Sequence, residues 1–389
     1  MSDHVFILGA GASYEYDAYP FGADPRRPEV ELVPASVPLS RNMLTEAIKR
    51  DVFRKTQHAR LAEYIRENSH RWLKKPVTFE DLKSGAELDV EQVYISLESD
   101  IRRLGIVSAV DPRWWDLAVP RDELLTIIET LLVYIVYSTG QSATHERLAR
   151  YCRDTGATII SFNWDTLMDD ALAATDCWNY HTGYGTKFFM AYQDRKATPE
   201  PSTPSVLTLL KPHGSMNWFR YSLRSFRNEP AFTGDEPTEE EMSSTGLFVF
   251  SPEWRKSNHP VDADLGLGVG FDPKLKVPAD IDILPPGEAS AVSRPQFART
   301  RALVGEVIRT ARTVTIIGFA LKDSDSDSKR LFYQARQESS IGEITLEVVD
   351  KVMSDPIASA PLRTICEDTF RPCQVEFVAP TFKEYCARL

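Results

Sequence analysis

Basic charge is in short supply in this chain. Lys plus Arg number 45 against 56 Asp plus Glu, a formal net charge of -11. Such a balance repels nucleic-acid phosphates on average, so direct nucleic-acid binding is not expected beyond a local basic groove. Cysteine is scarce too: Cys152, Cys177, Cys366, Cys373 and Cys386 form no CxxC pair and are odd in number. That argues against a cysteine zinc site and a disulfide framework and leaves reduced, mostly buried thiols as the reading. The seven histidines show no HExxH or similar ligand spacing, so no structural metal is expected. Long apolar runs are missing as well. The opening MSDHVFILGAGAS has no basic segment followed by a long apolar stretch, and no later run is long enough to span a bilayer. The expectation is a soluble, cytoplasmic protein without membrane contact.

What is present is ordinary globular material: 42% hydrophobic and 26% charged residues over 389 positions, enough for a sizeable core and for two or three structural units. Val5 to Leu8 reads as a short apolar strand running into the glycine turn Gly9-Ala10-Gly11-Ala12-Ser13. Tyr14 to Leu39 has no helical period and reads as a long excursion over a site. Ser40 is placed to cap a helix through Met43, Leu44 and Ile48, and helical spacing recurs over Leu61–Ile65, Val90–Ile101 and Asp122–Tyr137. These segments define an inserted helical module over 40–150.

Strand and helix then alternate. Ala157–Phe162 is a strand ending in Asn163, followed by a helix over Thr166–Ala174, and Val206–Leu210 is a strand ending in Lys211-Pro212-His213-Gly214-Ser215. Residues 219–280 are polar and weakly periodic apart from Leu247–Phe250, and read as an insertion. The last third gives a helix over Phe297–Arg312, a strand over Val314–Ile317, a Gly318-Phe319-Ala320-Leu321 turn, a helix over Ser328–Gln337, and strands over Ile344–Val349 and Gln374–Val378. The fold class that follows is α/β, a Rossmann-like, mainly parallel sheet with an inserted helical module, the sheet domain comprising 1–39 and 151–389.

Each unusual polar cluster falls just beyond the C-terminal end of an expected strand: GAGAS, Asn163, His213 and Asp350. In open α/β sheets that edge binds ligands. Gly9 and Gly11 permit close backbone approach to a pyrophosphate, whose charge exposed N–H groups would meet, although Tyr14 stands where G-x-G-x-x-G needs its third glycine. In Ser161-Phe162-Asn163-Trp164-Asp165 the amide suits a water or a ribose hydroxyl, and Asp165 either orients its surroundings or caps the next helix. His213 lies between a proline and a glycine, an exposed and rigid placement for a general base. Asn217 and Trp218 read as loop-packing residues. Asp323, Asp325 and Asp327 alternate, but a calcium loop's glycine and glutamate are missing, so they read as a cap for the helix near Ser328.

In this order, GAGAS, SFNWD, KPHGSMNW, ILPPG (Ile283 to Gly287) and IIGFALKDSDSD (Ile316 to Asp327) resemble the sirtuin superfamily, in particular its sirtuin-like branch from prokaryotic antiphage defence. The resemblance implies NAD as substrate, no metal, phosphates lined by Gly9, Ala10, Gly11, Ser13 and Gly318, a nicotinamide-ribose site at Asn163 and Asp165, and His213 as the catalytic histidine. Asp350 falls where sirtuins place an asparagine near the adenosine ribose. It also implies homo-oligomers, or complexes with a translocase-type ATPase or an Argonaute-like protein. Two departures shape the expected reaction. The four-cysteine zinc domain of deacylating sirtuins has no counterpart here, which favours NAD hydrolysis over peptide deacylation or ADP-ribosyl transfer, and Ala320 replaces a common serine, so that one phosphate-side hydrogen bond is either missing or supplied by Ser324. A non-enzymatic NAD or ADP-ribose sensor is the remaining alternative.

Overall fold

The computed structural model describes residues 3–20, 31–104, 112–188, 190–193, 196–199, 201–221, 247–250, 270–272, 277–284, 295–321 and 325–389. Part of the Tyr14–Leu39 excursion, most of the 219–280 segment, the end of ILPPG, Asp323 and Ser324 lie outside them. Two compact units are present, Met1–Val37 with Val136–Leu389, and Pro38–Ile135.

The first unit opens with β1 (His4–Leu8), α1 (Ala10–Tyr14), β2 (Tyr16–Ala18) and β3 (Val33–Ala35). The second unit holds α2 (Met43–Lys49), α3 (Ala59–Asn68), α4 (Phe79–Lys83), α5 (Val90–Arg103) and most of α6 (Pro112–Thr139). Its helices bury Leu61 and Ile65 of α3, Val93 and Leu97 of α5, and Leu124, Ile128 and Leu131 of α6, the three- and four-residue spacing that lines one helix face. Local chemistry sets the helix starts: Thr78 and Asp81 form a reciprocal capping box on α4, and Asp89 accepts the Glu91 N–H at the head of α5. Ser40 is not a cap. Asn42 precedes α2, and the Ser40 carbonyl accepts the Val90 N–H at 3.0 Å instead.

The chain returns to the first unit through α7 (Ala143–Thr155), β4 (Thr158–Ser161), α8 (Leu167–Ala173), β5 (Met190–Gln193), β6 (Lys196–Thr198) and β7 (Leu209–Leu210). The boundary between units lies at Ile135, before α7 rather than at residue 150. Then come β8 (Gly214–Tyr221), β9 (Leu247–Phe250), β10 (Gly270–Asp272), β11 (Val277–Ile283), α9 (Pro295–Thr310), β12 (Thr313–Ile317) and α10 (Ser326–Gln337). The chain closes with β13 (Ile344–Val349), α11 (Pro356–Phe370), β14 (Cys373–Ala379) and α12 (Phe382–Cys386).

The central sheet has six parallel strands in the order β14-β13-β12-β1-β4-β7. Numbered among themselves along the chain, they run 3-2-1-4-5-6 from one edge, the order of the Rossmann fold, with the reversal between β1 and β12. Side-chain alternation on β1 explains the burial: Phe6 and Leu8 point into a core shared with α7, α8 and α12, while Val5 and Ile7 point into one shared with α9, α10 and α11. With both faces covered, Val5 to Leu8 are all fully buried, as parallel strands require.

The described parts of the 219–280 segment belong to a second six-stranded sheet, β10-β11-β8-β9-β5-β6. Strand β8 begins at Gly214 itself, so Asn217 and Trp218 are strand residues, both fully buried. The expected Val206–Leu210 strand is shortened to two residues: Val206 is 78% exposed, and the Val206 and Leu207 N–H groups donate to the Cys177 carbonyl. Helix α7 starts at a Ser142 cap that accepts the His145 N–H and ends at the left-handed Gly156, and α11 holds Pro361 in its interior. Among the described residues no helix is long and apolar enough to cross a membrane.

Candidate functional site

At the reversal between β1 and β12 the two glycine turns meet. The Gly9 N–H donates to the Ile317 carbonyl at 3.0 Å and the Gly11 N–H to the Gly318 carbonyl at 2.9 Å. Gly318 has φ +58, and a Cβ there would stand 2.4 Å from the Gly11 Cα, while a Cβ on Gly11 would stand 2.6 Å from the Gly318 Cα. Only glycine tolerates both the left-handed backbone and that proximity. The Gly9 and Gly11 amides are thus spent on the neighbouring turn. The glycines serve backbone approach. Ala10 is exposed at this crossing, and Leu321, fully buried, holds a left-handed φ of +48, local strain of the kind that gathers at sites.

The Ser161-Asp165 motif leaves β4 beside this crossing. The Asn163 side chain, 9% exposed, donates from Nδ2 to the Ser13 hydroxyl at 2.9 Å. Its Oδ1 accepts no hydrogen bond among the described residues. The Trp164 indole N–H next to it is buried and also has no partner among them. Asp165 Oδ1 accepts the Leu167 N–H at 3.0 Å just ahead of α8, whose N-cap Thr166 makes no side-chain cap bond.

His213 follows β7. It is not exposed as its Pro-His-Gly setting implies, but only 6% accessible. The Phe162 ring meets it edge-on at 4.9 Å, and its carbonyl accepts the Leu284 N–H, which brings the end of β11 alongside. Burial, with a smaller push from the Arg301 cation, lowers its pKa from 6.5 to about 3, so the imidazole is neutral at physiological pH. No side-chain hydrogen bond engages it among the described residues. Gly214 has φ +76, and a Cβ there would lie 2.0 Å from the Asp282 carbonyl oxygen. The glycine after the histidine is thus required for β8 and β11 to pair.

Phe162 ties these strand ends together, stacking on Phe319 at 4.4 Å and 7° as well as meeting His213. Asp350, on the next strand of the sheet, lies at the same edge, its N–H donating to the Ala379 carbonyl and its carboxylate accepting the Val352 N–H at 3.0 Å. The Val349 carbonyl before it accepts the Gly318 N–H. The structure therefore brings Gly9, Gly11, Ser13, Asn163, His213, Gly318 and Asp350 to one edge of one sheet.

Sequence reasoning missed Arg301 of α9, whose guanidinium reaches the Asp327 carbonyl at 3.4 Å and acts electrostatically on His213, and it missed the buried Lys211–Asp169 pair beneath the two motifs. Of the alternating aspartates that are described, Asp325 precedes α10 without a side-chain cap bond and Asp327 accepts from Arg330. Among the described residues, no three His, Cys, Asp or Glu side chains gather as a metal site. Fold and site together define a Rossmann-like α/β protein with buried polar residues gathered at the C-terminal strand ends by its topological switch point. No protein-family model and no curated protein matches the chain.

Proposed function

We propose that this protein is a sirtuin-like NAD glycohydrolase, which cleaves the nicotinamide–ribose bond and so depletes NAD in antiphage defence. The observation that carries the reading is the pairing of a buried amide, Asn163, with a buried neutral imidazole, His213, at neighbouring strand ends beside the glycine crossing. Among the described residues neither Asn163 Oδ1 nor the His213 ring makes a hydrogen bond, so both are left to engage a ligand.

In this reading the dinucleotide lies over the crossing of Gly9–Gly11 with Gly318, the side of a Rossmann sheet where such ligands bind. As the carbon–nitrogen bond breaks, its electron pair leaves with nicotinamide and the ribose carbon becomes cationic. Asn163 Oδ1 orients a water whose oxygen bonds to that carbon, and the water's proton passes to His213. The products are ADP-ribose, nicotinamide and one proton. A neutral imidazole adds no positive charge next to the developing cation. The two phosphate charges of NAD raise the histidine's proton affinity once substrate is bound.

The test is nicotinamide release from NAD by the wild type, Asn163→Ala and His213→Ala, in purified protein and in cells with and without phage challenge. Loss of His213 is expected to cost about 10²–10⁴-fold in turnover with the fold intact. Undiminished release by both variants overturns the assignment, and release that requires an acylated peptide identifies a deacylase instead.

A further inference from the structure

Lys211 is fully buried, and its ammonium donates to three oxygens: the Asp165 carbonyl at 2.6 Å, the Ser215 hydroxyl at 2.7 Å and Asp169 Oδ2 at 3.0 Å. Those three bonds exhaust its donors. The other Asp169 oxygen accepts a short hydrogen bond from the Tyr184 hydroxyl, which in turn accepts from Asn217 Nδ2 at 3.0 Å. Lys211 and Asn217 stand on either side of His213 in the chain, so a single carboxylate anchors both flanks of the histidine turn. Asp169 itself rides on α8, the helix that leaves the Asn163 strand end and whose first N–H, that of Leu167, donates to Asp165 Oδ1. Two backbone bonds complete the frame: Gly214 N–H to the Lys211 carbonyl, closing the turn around His213, and Met216 N–H to the Trp164 carbonyl at 2.8 Å.

We propose that Lys211 is a positioning residue, whose contacts to Asp165, Asp169 and Ser215 fix the distance and orientation between Asn163 and His213. Stability alone does not account for it. Burying an ion pair costs several kcal/mol per ion, and an apolar pair of similar volume is often as stable. What an apolar pair lacks is direction. The ammonium reaches the strand-end loop after β4, strand β8 of the second sheet and α8 at once, and no shorter or uncharged side chain supplies three donors there. The inference rests on the NAD-cleaving reading for its kinetic consequence but not for its geometry.

The test compares Lys211→Met, Asp169→Asn, the double variant Lys211→Met/Asp169→Asn, and Ser215→Ala. Lys211→Met alone leaves a buried carboxylate without its cation and is expected to lose thermal stability, whereas the double variant removes both charges and regains a cooperative melt. The double variant nevertheless keeps a kcat reduced about a hundredfold, the scale of an ångström-sized misplacement, with KM for NAD within a few-fold of wild type. Ser215→Ala, which keeps both charges, shows a smaller loss of kcat in the same direction. Full recovery of kcat in the double variant, or wild-type kcat in Ser215→Ala, overturns the proposal and reduces Lys211 to charge balance. A second readout needs no NAD: the His213 ring, followed by NMR titration, shifts upward in the double variant as water reaches the loosened turn. An unmoved His213 titration overturns the positioning role. A shifted titration in a protein that releases no nicotinamide under any condition overturns the NAD reading and leaves the positioning role standing.

Discussion

Asn163 and Ser13 lie 150 positions apart in the chain and meet at 2.9 Å, the amide donating to the hydroxyl. The contact fixes which way the amide faces, turning Nδ2 toward the glycine turn and leaving Oδ1 for a ligand. Ser13→Ala removes a neutral hydrogen bond worth about 1 kcal/mol. The expected result is a several-fold fall in nicotinamide release with only a small drop in melting temperature. A variant as active as wild type sinks this role for Ser13.

The glycine crossing gives a stability prediction. Gly318→Ala forces a side chain into the left-handed region, at about 1–2 kcal/mol, and drives its Cβ against the Gly11 backbone at 2.4 Å. Backbone on both sides leaves little room for relaxation, so the total loss should exceed the conformational part alone. Denaturant unfolding of Gly318→Ala and of Gly156→Ala, which shares a left-handed φ of +71 but whose Cβ meets nothing within 4 Å, separates the two. Equal losses contradict the close-approach argument.

Arg301 lowers the proton affinity of His213 because a nearby cation disfavours the imidazolium. Arg301→Leu should therefore raise the His213 pKa above its value of about 3. The acid limb of the rate profile should move to higher pH with it. A limb that stays in place, or moves down, removes Arg301 from the electrostatics of the site.

Two buried histidines make the fold sensitive to acid. His213 and His145 both have pKa values lowered by burial from 6.5 to about 3, and His145 also meets Phe382 edge-on at 5.0 Å. Between those values the unfolded chain binds protons that the folded chain refuses. Their favourable contribution is complete above pH 6.5 and is lost as pH falls toward 3. The melting temperature should drop across that window, and less steeply in His145→Gln. A flat profile between pH 7 and 4 would show that neither ring titrates on unfolding.

Phe162 provides a packing test. It stacks on Phe319 and meets His213 edge-on, so Phe162→Leu forfeits aromatic contacts worth about 0.5–1.5 kcal/mol each beyond burial. The expected outcome is a modest loss of stability with a larger loss of activity, because His213 loses the ring that orients it. Equal turnover by Phe162→Leu and wild type would count against that role.

The sequence alone determined the parts that depend on near neighbours. Apolar runs such as Val5–Leu8 and Ile344–Val349 declare buried strands, because a parallel strand hides both faces. Glycines at positions 9, 11 and 318 mark turns, and polar residues directly after apolar runs place Asn163, His213 and Asp350 at strand ends. Tertiary structure decided whatever depends on distant partners. The burial of His213 comes from Phe162 and from the end of β11, and the use of the Gly9 and Gly11 amides comes from the Gly318 turn. The strand that begins at Gly214 exists because β11 and β9 pair with it; a run with polar residues at Ser215, Asn217 and Arg220 has little strand signal by itself. Lys211 is the sharpest case. A lysine before a proline reads as a solvated loop residue, and only the fold, by bringing Asp165, Asp169 and Ser215 within reach of one ammonium, makes its burial tolerable.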